Sequence, residues 1–289
     1  MSGEKVVITG MNGMLGSILI DTLTYKNIIG LGGEFDISNP ILVNEKLEEL
    51  KPDIIIHTAA FTNVEECETN IDKSYLINSL GTQNLVNYCI NKDVLFIYIS
   101  STGIYGAKHN HEYTEYDIVE PTTIHHMSKY SGENNIKNHL SKYLILRTGW
   151  LYGGKTTHAK NFVYKRYLDS TQTDIMHADD SQIGNPTYVL DLVKQIEILI
   201  NNNQYGTFNC VNEGKNITRY DYVKKIVELF EVDCKVKIAT EGMFNRVAPV
   251  SHNESALNYK LNLLNLNTMG LWSDSLETYI ELLKKDINA

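Results

Sequence analysis

The run Lys5–Thr9 passes directly into Gly10-Met11-Asn12-Gly13-Met14-Leu15-Gly16, and helical periodicity follows over 14–25. Glycines at these places permit a sharp turn, close approach of backbone to a ligand, and close packing of helix on sheet. The first N–H groups of the helix then form a site for a pyrophosphate. The spacing is GxxGxxG; a glycine-rich turn by itself is a weak signal, and its place between the first strand and the first helix gives it weight. The competing reading is a tight turn that binds nothing. On the stronger reading Gly10, Asn12, Gly13, Met14, Leu15 and Gly16 are cofactor-binding residues.

The alternation continues down the chain. Strands are expected at Asn27–Leu31, 53–57, 94–100 and 143–147, with helices at Pro40–Leu50, 71–91 and 128–140. This order predicts an α/β fold: a Rossmann-like, doubly wound parallel sheet covered by helices on both faces. The strands are apolar nearly throughout, as burial on both faces requires. Beyond about Leu151, glycines, polar loops and shorter elements point to a smaller C-terminal substrate-binding lobe. A helix over Val189–Asn201 and a strand over 206–211 read as returning to the first domain, and amphipathic helices are expected over Arg219–Phe230 and 273–285. The expected division is residues 1–152 for the NAD(P)-binding domain, rejoined by 188–210, and residues 153–187 and 211–289 for the lobe. No internal repeat or low-complexity tract interrupts this order.

A net charge of −9, with no basic cluster, argues against nucleic acid and anionic membranes as partners. No apolar run is long enough to cross a bilayer. The start, MSGEKVVITG, runs from a short polar lead into a strand, which predicts no signal peptide and a cytoplasmic protein. Cys67, Cys89, Cys210 and Cys234 are far apart without CxxC spacing, so reduced buried thiols are expected rather than a disulfide framework or a zinc site. No metal is expected.

The second strand leads into Gly32-Gly33-Glu34-Phe35-Asp36-Ile37. Glu34 is placed either to accept hydrogen bonds from the adenosine ribose, which would favour NAD over NADP, or to be a solvated loop charge. Ligands of an open parallel sheet sit beyond the C-terminal strand ends, where Ser101 falls. A hydroxyl there can bond a carbonyl oxygen and stabilise a developing alkoxide.

These residues together resemble the extended short-chain dehydrogenase/reductase superfamily, and within it the dTDP-4-dehydrorhamnose reductases and their nucleotide-sugar relatives. The likeness runs over nearly the whole chain. After the glycine turn, Asp36-Ile37 resembles the adenine-pocket segment. His57-Thr58-Ala59-Ala60-Phe61-Thr62 resembles the loop bordering the cofactor, which brings in Ala59, Ala60 and Thr62. Asn78 matches a helix asparagine, and Ser101 with Thr102 matches the strand end that carries the catalytic Ser or Thr. Arg147-Thr148-Gly149-Trp150 is similar to the strand and turn bearing a substrate-side tryptophan, and Gln182-Ile183-Gly184-Asn185-Pro186-Thr187 is the most specific stretch. The resemblance implies catalytic roles for Ser101, position 125 and Lys129, with Lys129 also binding the nicotinamide ribose. It implies a sugar cleft lined by Ser101, Thr102, Trp150, Asn185 and Thr187. Arg246 is a candidate for the nucleotide diphosphate, since an arginine fork suits phosphate oxygens. NAD or NADP as hydride carrier, a nucleotide-sugar substrate and a homodimer are implied as well.

Three departures stand out. The family tyrosine that handles the proton is replaced by His125, four residues before Lys129; the Asp-Tyr pair after the catalytic Ser/Thr is Thr102-Gly103; and the usual Arg-Pro is Ala248-Pro249. An imidazole is a competent acid near neutral pH, but the Lys129 ammonium would depress it. His126 is expected to point elsewhere and to be structural. Tyr113 or Tyr116, from a polar loop, are alternative phenols. Tyr220 and Lys224 repeat the tyrosine–lysine spacing but read as helix surface, and His109, His111 and Glu112 read as solvated loop rather than a metal cluster. The expected function is NAD(P)H-dependent reduction of the C4 ketone of a nucleotide-diphosphate 4-keto-6-deoxysugar, for polysaccharide synthesis. The alternatives are an epimerase or dehydratase on the same scaffold, and a non-catalytic nucleotide-binding regulatory subunit.

Overall fold

The computed structural model describes residues 3–106, 109–240 and 242–288; the first two residues of the polar lead and the last of the lobe lie outside them. The chain opens with β1 (Lys5–Thr9), α1 (Met14–Thr22), β2 (Asn27–Leu31), α2 (Pro40–Leu50) and β3 (Ile54–His57). The expected long helix over 71–91 is preceded by α3 (Val64–Thr69) and is divided into α4 (Ile71–Tyr75), a π-helical turn Leu76–Gly81 and α5 (Thr82–Cys89). Next come β4 (Leu95–Ser101), a 3-10 turn Thr102–Tyr105, α6 (Ile124–His139) and β5 (Tyr143–Thr148). Helix α6 starts earlier than the expected 128 because the Thr123 hydroxyl accepts the His126 N–H at 3.2 Å and so sets the N-cap.

The second half contains β6 (Trp150–Tyr152), α7 (Phe162–Ser170), β7 (Ile175–Ala178), β8 (Pro186–Tyr188), α8 (Val189–Asn201) and β9 (Gly206–Cys210). It ends with α9 (Arg219–Phe230), β10 (Lys235–Ile238), α10 (Tyr259–Leu263) and α11 (Trp272–Ile287). A capping box between Thr218 and Asp221 starts α9.

Six strands form one sheet in the order β2-β1-β3-β4-β5-β9, and every neighbouring pair is parallel. The chain leaves β1 for β2 and then crosses to β3 on the other side, so the topological switch lies between β1 and β3, where a crevice opens. The glycine turn leaves the end of β1 at that point. Because side chains alternate along a strand, Val7, Ile55, Phe96 and Ile145 pack under α2, α5 and α6, whereas Val6, Ile8, Ile56, Ile97 and Leu146 face the other way. That second core is shared with Leu192 and Ile196 of α8, Ile226 of α9, and Leu276 and Ile280 of α11. Strand β9 joins the main sheet beside β5, whereas β6 pairs with β8 and β7 with β10 in two small sheets outside it.

No described helix is long and apolar enough to cross a membrane, and no described group of His, Cys, Asp or Glu could hold a metal ion. The four cysteines are free and buried.

Candidate active site

At the glycine turn, the N–H groups of Gly10 and Met11 both donate to the Leu31 carbonyl, at 2.9 and 3.1 Å. Gly10 has φ +77°, and a Cβ there would lie 2.7 Å from the Ala59 nitrogen, so only glycine fits. Gly16 is equally constrained, since its Cβ would come 2.2 Å from the Gly10 carbonyl oxygen. Gly13 is the N-cap of α1 and supplies no side-chain cap, which leaves the first-turn N–H groups open to an anion. This cradle fits a dinucleotide pyrophosphate. Along its adenosine side, Glu34 turns back to accept the Gly32 N–H at 3.1 Å, with the Asn12 side chain against the same glycine. Asp36 is exposed and accepts the Ser38 N–H and hydroxyl, while Ile37 packs on Gly81 of the π turn.

The loop after β3 is held by a continuous hydrogen-bond chain. His57 lies 2.7 Å through Nδ1 from the Thr9 hydroxyl and 3.1 Å through Nε2 from the Thr82 hydroxyl. Thr82 donates onward to the Asn78 carbonyl, so Nε2 carries the proton and Nδ1 accepts from Thr9. Burial, with help from the Lys129 charge, lowers the His57 pKa to about 3, so the ring is neutral. Asn78, in the π turn, accepts the Phe61 N–H at 2.8 Å and donates to the Phe61 carbonyl at 3.0 Å and to the Ser128 hydroxyl at 3.0 Å. Its side chain therefore holds the loop after β3 against α6. Ala59 donates its N–H to the Thr9 hydroxyl, and the Thr62 hydroxyl accepts from the Lys160 ammonium.

The reacting end gathers from β4 and the first turns of α6. Ser101 closes β4, and its Oγ accepts the Gly103 N–H at 3.1 Å. Lys129 is buried, with Nζ 4.0 Å from the centre of the Tyr98 ring. Burial lowers its pKa to about 7, against the opposing pull of Glu133. Glu133 is itself engaged by Arg147 at 3.0 and 2.7 Å and by Lys137 at 2.7 Å. His125 is buried, with Nδ1 3.1 Å from the Phe61 carbonyl, and a carbonyl can only accept. Nδ1 therefore carries a proton, and in the neutral ring Nε2 is an acceptor. Burial first, then His126 and Lys129, push the His125 pKa well below the ordinary histidine value.

His126 differs from its expected place. Its Nε2 is 3.4 Å from Ser101 Oγ and its Nδ1 is 3.0 Å from Thr123 Oγ1. The ring lies on Gly103, where a Cβ would come 2.2 Å from Cε1. His125 and His126 both lie in the first turn of α6, with their ring centres 5.1 Å apart.

Among the residues expected to line a sugar cleft, the Trp150 indole donates to the buried Glu254 carboxylate at 2.8 Å, and the Arg219 guanidinium lies 3.4 Å from the ring centre. A Cβ on Gly184 would meet the same indole at 2.5 Å. Arg219 and Arg246 both reach the Gln182 carboxamide oxygen, at 3.2 and 3.5 Å, so two guanidiniums converge where one was expected. Asn185 and Thr187 are fully buried: Asn185 bonds the Asn212 carbonyl and the Ala256 N–H, and Thr187 donates to the Asn185 carbonyl. They shape the turn behind Trp150, whose N–H also reaches the Asn185 carbonyl. Thr102 is buried in the 3-10 turn.

The alternative phenols are engaged elsewhere. Tyr113 is buried with its hydroxyl donating to the Gly106 carbonyl, and Tyr116 is exposed against Tyr259. Lys224 pairs with Glu228 on the surface of α9, and His111 pairs with Asp117. Glu254, Arg219 and His126 do not stand out in the sequence, because nothing in their local pattern distinguishes a site residue from a surface one.

The family model described as RmlD substrate binding domain matches residues 4–284. A dTDP-4-dehydrorhamnose reductase of Mycobacterium tuberculosis is 28% identical over 285 residues, covering 95% of this chain and 92% of that protein. The solved dTDP-4-dehydrorhamnose reductase of Clostridium acetobutylicum superposes with a TM-score of 0.91 at 33% identity, covering 97% of this chain and 99% of that one. The one from Bacillus anthracis, solved in complex with NADP, gives 0.91 at 31% identity, over 96% of this chain and 99% of that one. A match along almost the entire sequence leads to one assignment: the protein belongs to the RmlD substrate binding domain family.

Proposed function

We propose that the protein reduces the C4 ketone of a nucleotide-diphosphate 4-keto-6-deoxysugar, in the cytoplasm, as a step in making an activated deoxysugar. The observation that carries this reading is the meeting of Ser101, Lys129 and two imidazoles at the strand ends, next to a glycine cradle that fits a dinucleotide pyrophosphate. A nicotinamide dinucleotide bound there supplies the hydride. The names of the relatives support the substrate class, and the Bacillus anthracis relative holds NADP. Gly10, Gly13 and the first turn of α1 receive the phosphates, and the Lys129 ammonium is set to hold ribose hydroxyls. Ser101 holds the substrate oxygen. Trp150, fixed by Glu254, walls the sugar cleft, and Arg219 with Arg246 meet the diphosphate. Ile71, Leu76 and Leu80 remain exposed along α4 and the π turn and suit a second copy of the chain.

The test is oxidation of NADPH and of NADH, followed by absorbance, with dTDP-4-keto-6-deoxysugars as substrates. Turnover that requires the sugar and is lost in Ser101→Ala is expected. Absence of turnover with either coenzyme overturns the reading.

A further inference from the structure

We propose that His126, rather than His125, supplies the proton in this site, passing it through the Ser101 hydroxyl to the substrate oxygen. The proposal rests on the reductase reading above and assigns its acid to a residue outside the tyrosine position.

The geometry is specific. His126 touches one hydroxyl on each side, Ser101 Oγ at 3.4 Å from Nε2 and Thr123 Oγ1 at 3.0 Å from Nδ1. Both oxygens have lone pairs, so a doubly protonated ring finds an acceptor at each nitrogen. The 3.4 Å separation is long for a hydrogen bond in a site without substrate, where such contacts commonly tighten on binding. Ser101 Oγ also accepts the Gly103 N–H, so two donors converge on it and its own proton is left for the substrate. Room for the ring depends on Gly103, since a Cβ there would lie 2.2 Å from Cε1. The sequence has Thr102-Gly103 where the resembling family carries Asp-Tyr, so the imidazole uses space that a side chain at 103 would fill.

His125 lacks these features. Its Nδ1 proton is directed to the Phe61 carbonyl, and its charged form is opposed by burial, His126, Lys129 and Lys160, with only the Phe61 contact favouring it. Around His126 the charges are mixed. Burial opposes the protonated ring most strongly, with Lys129 on the same helix acting in the same sense, while Glu254 from the segment beside Trp150 and Glu68 from α3 favour it. His125 adjoins on α6, with ring centres 5.1 Å apart, and β4 contributes the uncharged Ser101. The balance holds the ring below the ordinary histidine value but with carboxylates at hand.

The step balances. Hydride from the reduced nicotinamide adds to the carbonyl carbon, the C=O π pair moves to oxygen, and that oxygen takes the Ser101 proton. Ser101 Oγ takes the Nε2 proton of protonated His126, whose neutral ring is reprotonated from solvent. The ketone is reduced to an alcohol, the nicotinamide is oxidised, and one proton leaves solvent per turnover.

Two measurements test this. In cofactor-free protein, NMR titration of the His126 ring should show the Nε2 resonance moved by Ser101→Ala, and a lower titration point in Glu254→Gln. A resonance untouched by Ser101→Ala overturns the relay. With NADPH and a 4-keto nucleotide sugar, wild-type kcat should fall as pH rises from about 5 to 6.5, beneath the pH near 7 at which Lys129 itself loses its charge, because only the protonated ring donates. A profile flat or rising over that range overturns the relay without any variant. His126→Gln should lose about 100-fold in kcat and the fall of kcat with rising pH, with KM for NADPH little changed. A kcat near that of the wild type, or an unchanged pH profile, overturns it too. Failure of the wild type to oxidise either coenzyme overturns the reductase reading and the relay together.

Discussion

Lys129 places a charge where water is nearly absent, and the face of Tyr98 is a partial substitute for hydration. Its depressed pKa, about 7, has a consequence for stability. The unfolded lysine keeps its proton up to about pH 10.4. Between about pH 7 and 10.4 the unfolded chain therefore binds one proton more than the folded one, and stability rises with pH by about 1.4 kcal/mol per unit. Below pH 7 both states hold the proton, and the cost of the buried charge is present in full. Lys129→Met should be more stable than the wild type at about pH 6 and lose this slope in urea unfolding series; equal slopes in the two proteins sink the argument. Ser101 and Lys129 were legible from sequence because each sits in a motif whose register is fixed by a strand end or a helix start. His126 was not, because a helix turns by about 100° per residue and adjacent side chains are expected to diverge. That expectation fails at the tip of α6, where Thr123 caps the helix and holds His126 through both its N–H and its ring, beside Ser101.

Among the elements, the π-helical turn Leu76–Gly81 matters most to the site. One extra residue per turn rotates the helix beyond it, and such bulges recur at functional sites. Here it carries Asn78 to the loop after β3, where one carboxamide satisfies both the N–H and the carbonyl of Phe61. The same carbonyl receives His125, so Asn78 sets the position of that imidazole indirectly. Asn78→Ala should lower stability by about 1–3 kcal/mol, the usual cost of leaving buried polar partners unmatched. It should also raise KM for the coenzyme, read by urea unfolding and steady-state kinetics. A variant matching the wild type in both removes the clamp from the account. The parallel strands and their flanking helices were legible because both-face burial writes long apolar runs. The π turn was hidden, since the apolar periodicity of 71–91 is compatible with one helix. The pairs β6–β8 and β7–β10 were hidden too, being three- and four-residue strands with too few side chains to show a period.

At the scale of the whole molecule, the sequence suggests two lobes, but the packing joins them. Leu276, Tyr279, Ile280 and Leu283 of α11 and Ile226 and Phe230 of α9 lie in one apolar cluster with Ile8, Ile56 and Ile97 of the central sheet. Removing either set would expose the other, so the two lobes should unfold in a single transition. In a Trp150→Phe variant the remaining tryptophan is Trp272 of α11, so fluorescence reports on the C-terminal lobe while far-UV circular dichroism reports helices throughout. The two signals should give one urea midpoint, and deletion of 272–289 should abolish the cooperative transition. A fluorescence change that precedes the circular dichroism change, with a plateau between them, would mean that the lobes unfold separately. Coenzyme sharpens the test, because its cradle is at the end of β1, in the other half of the chain. NADPH at about 100 times its Kd should stabilise a one-unit protein by about 2.7 kcal/mol, and the tryptophan signal should move by the full amount. If only a separate N-terminal transition moved, the shared core would not couple the cradle to the C-terminal lobe.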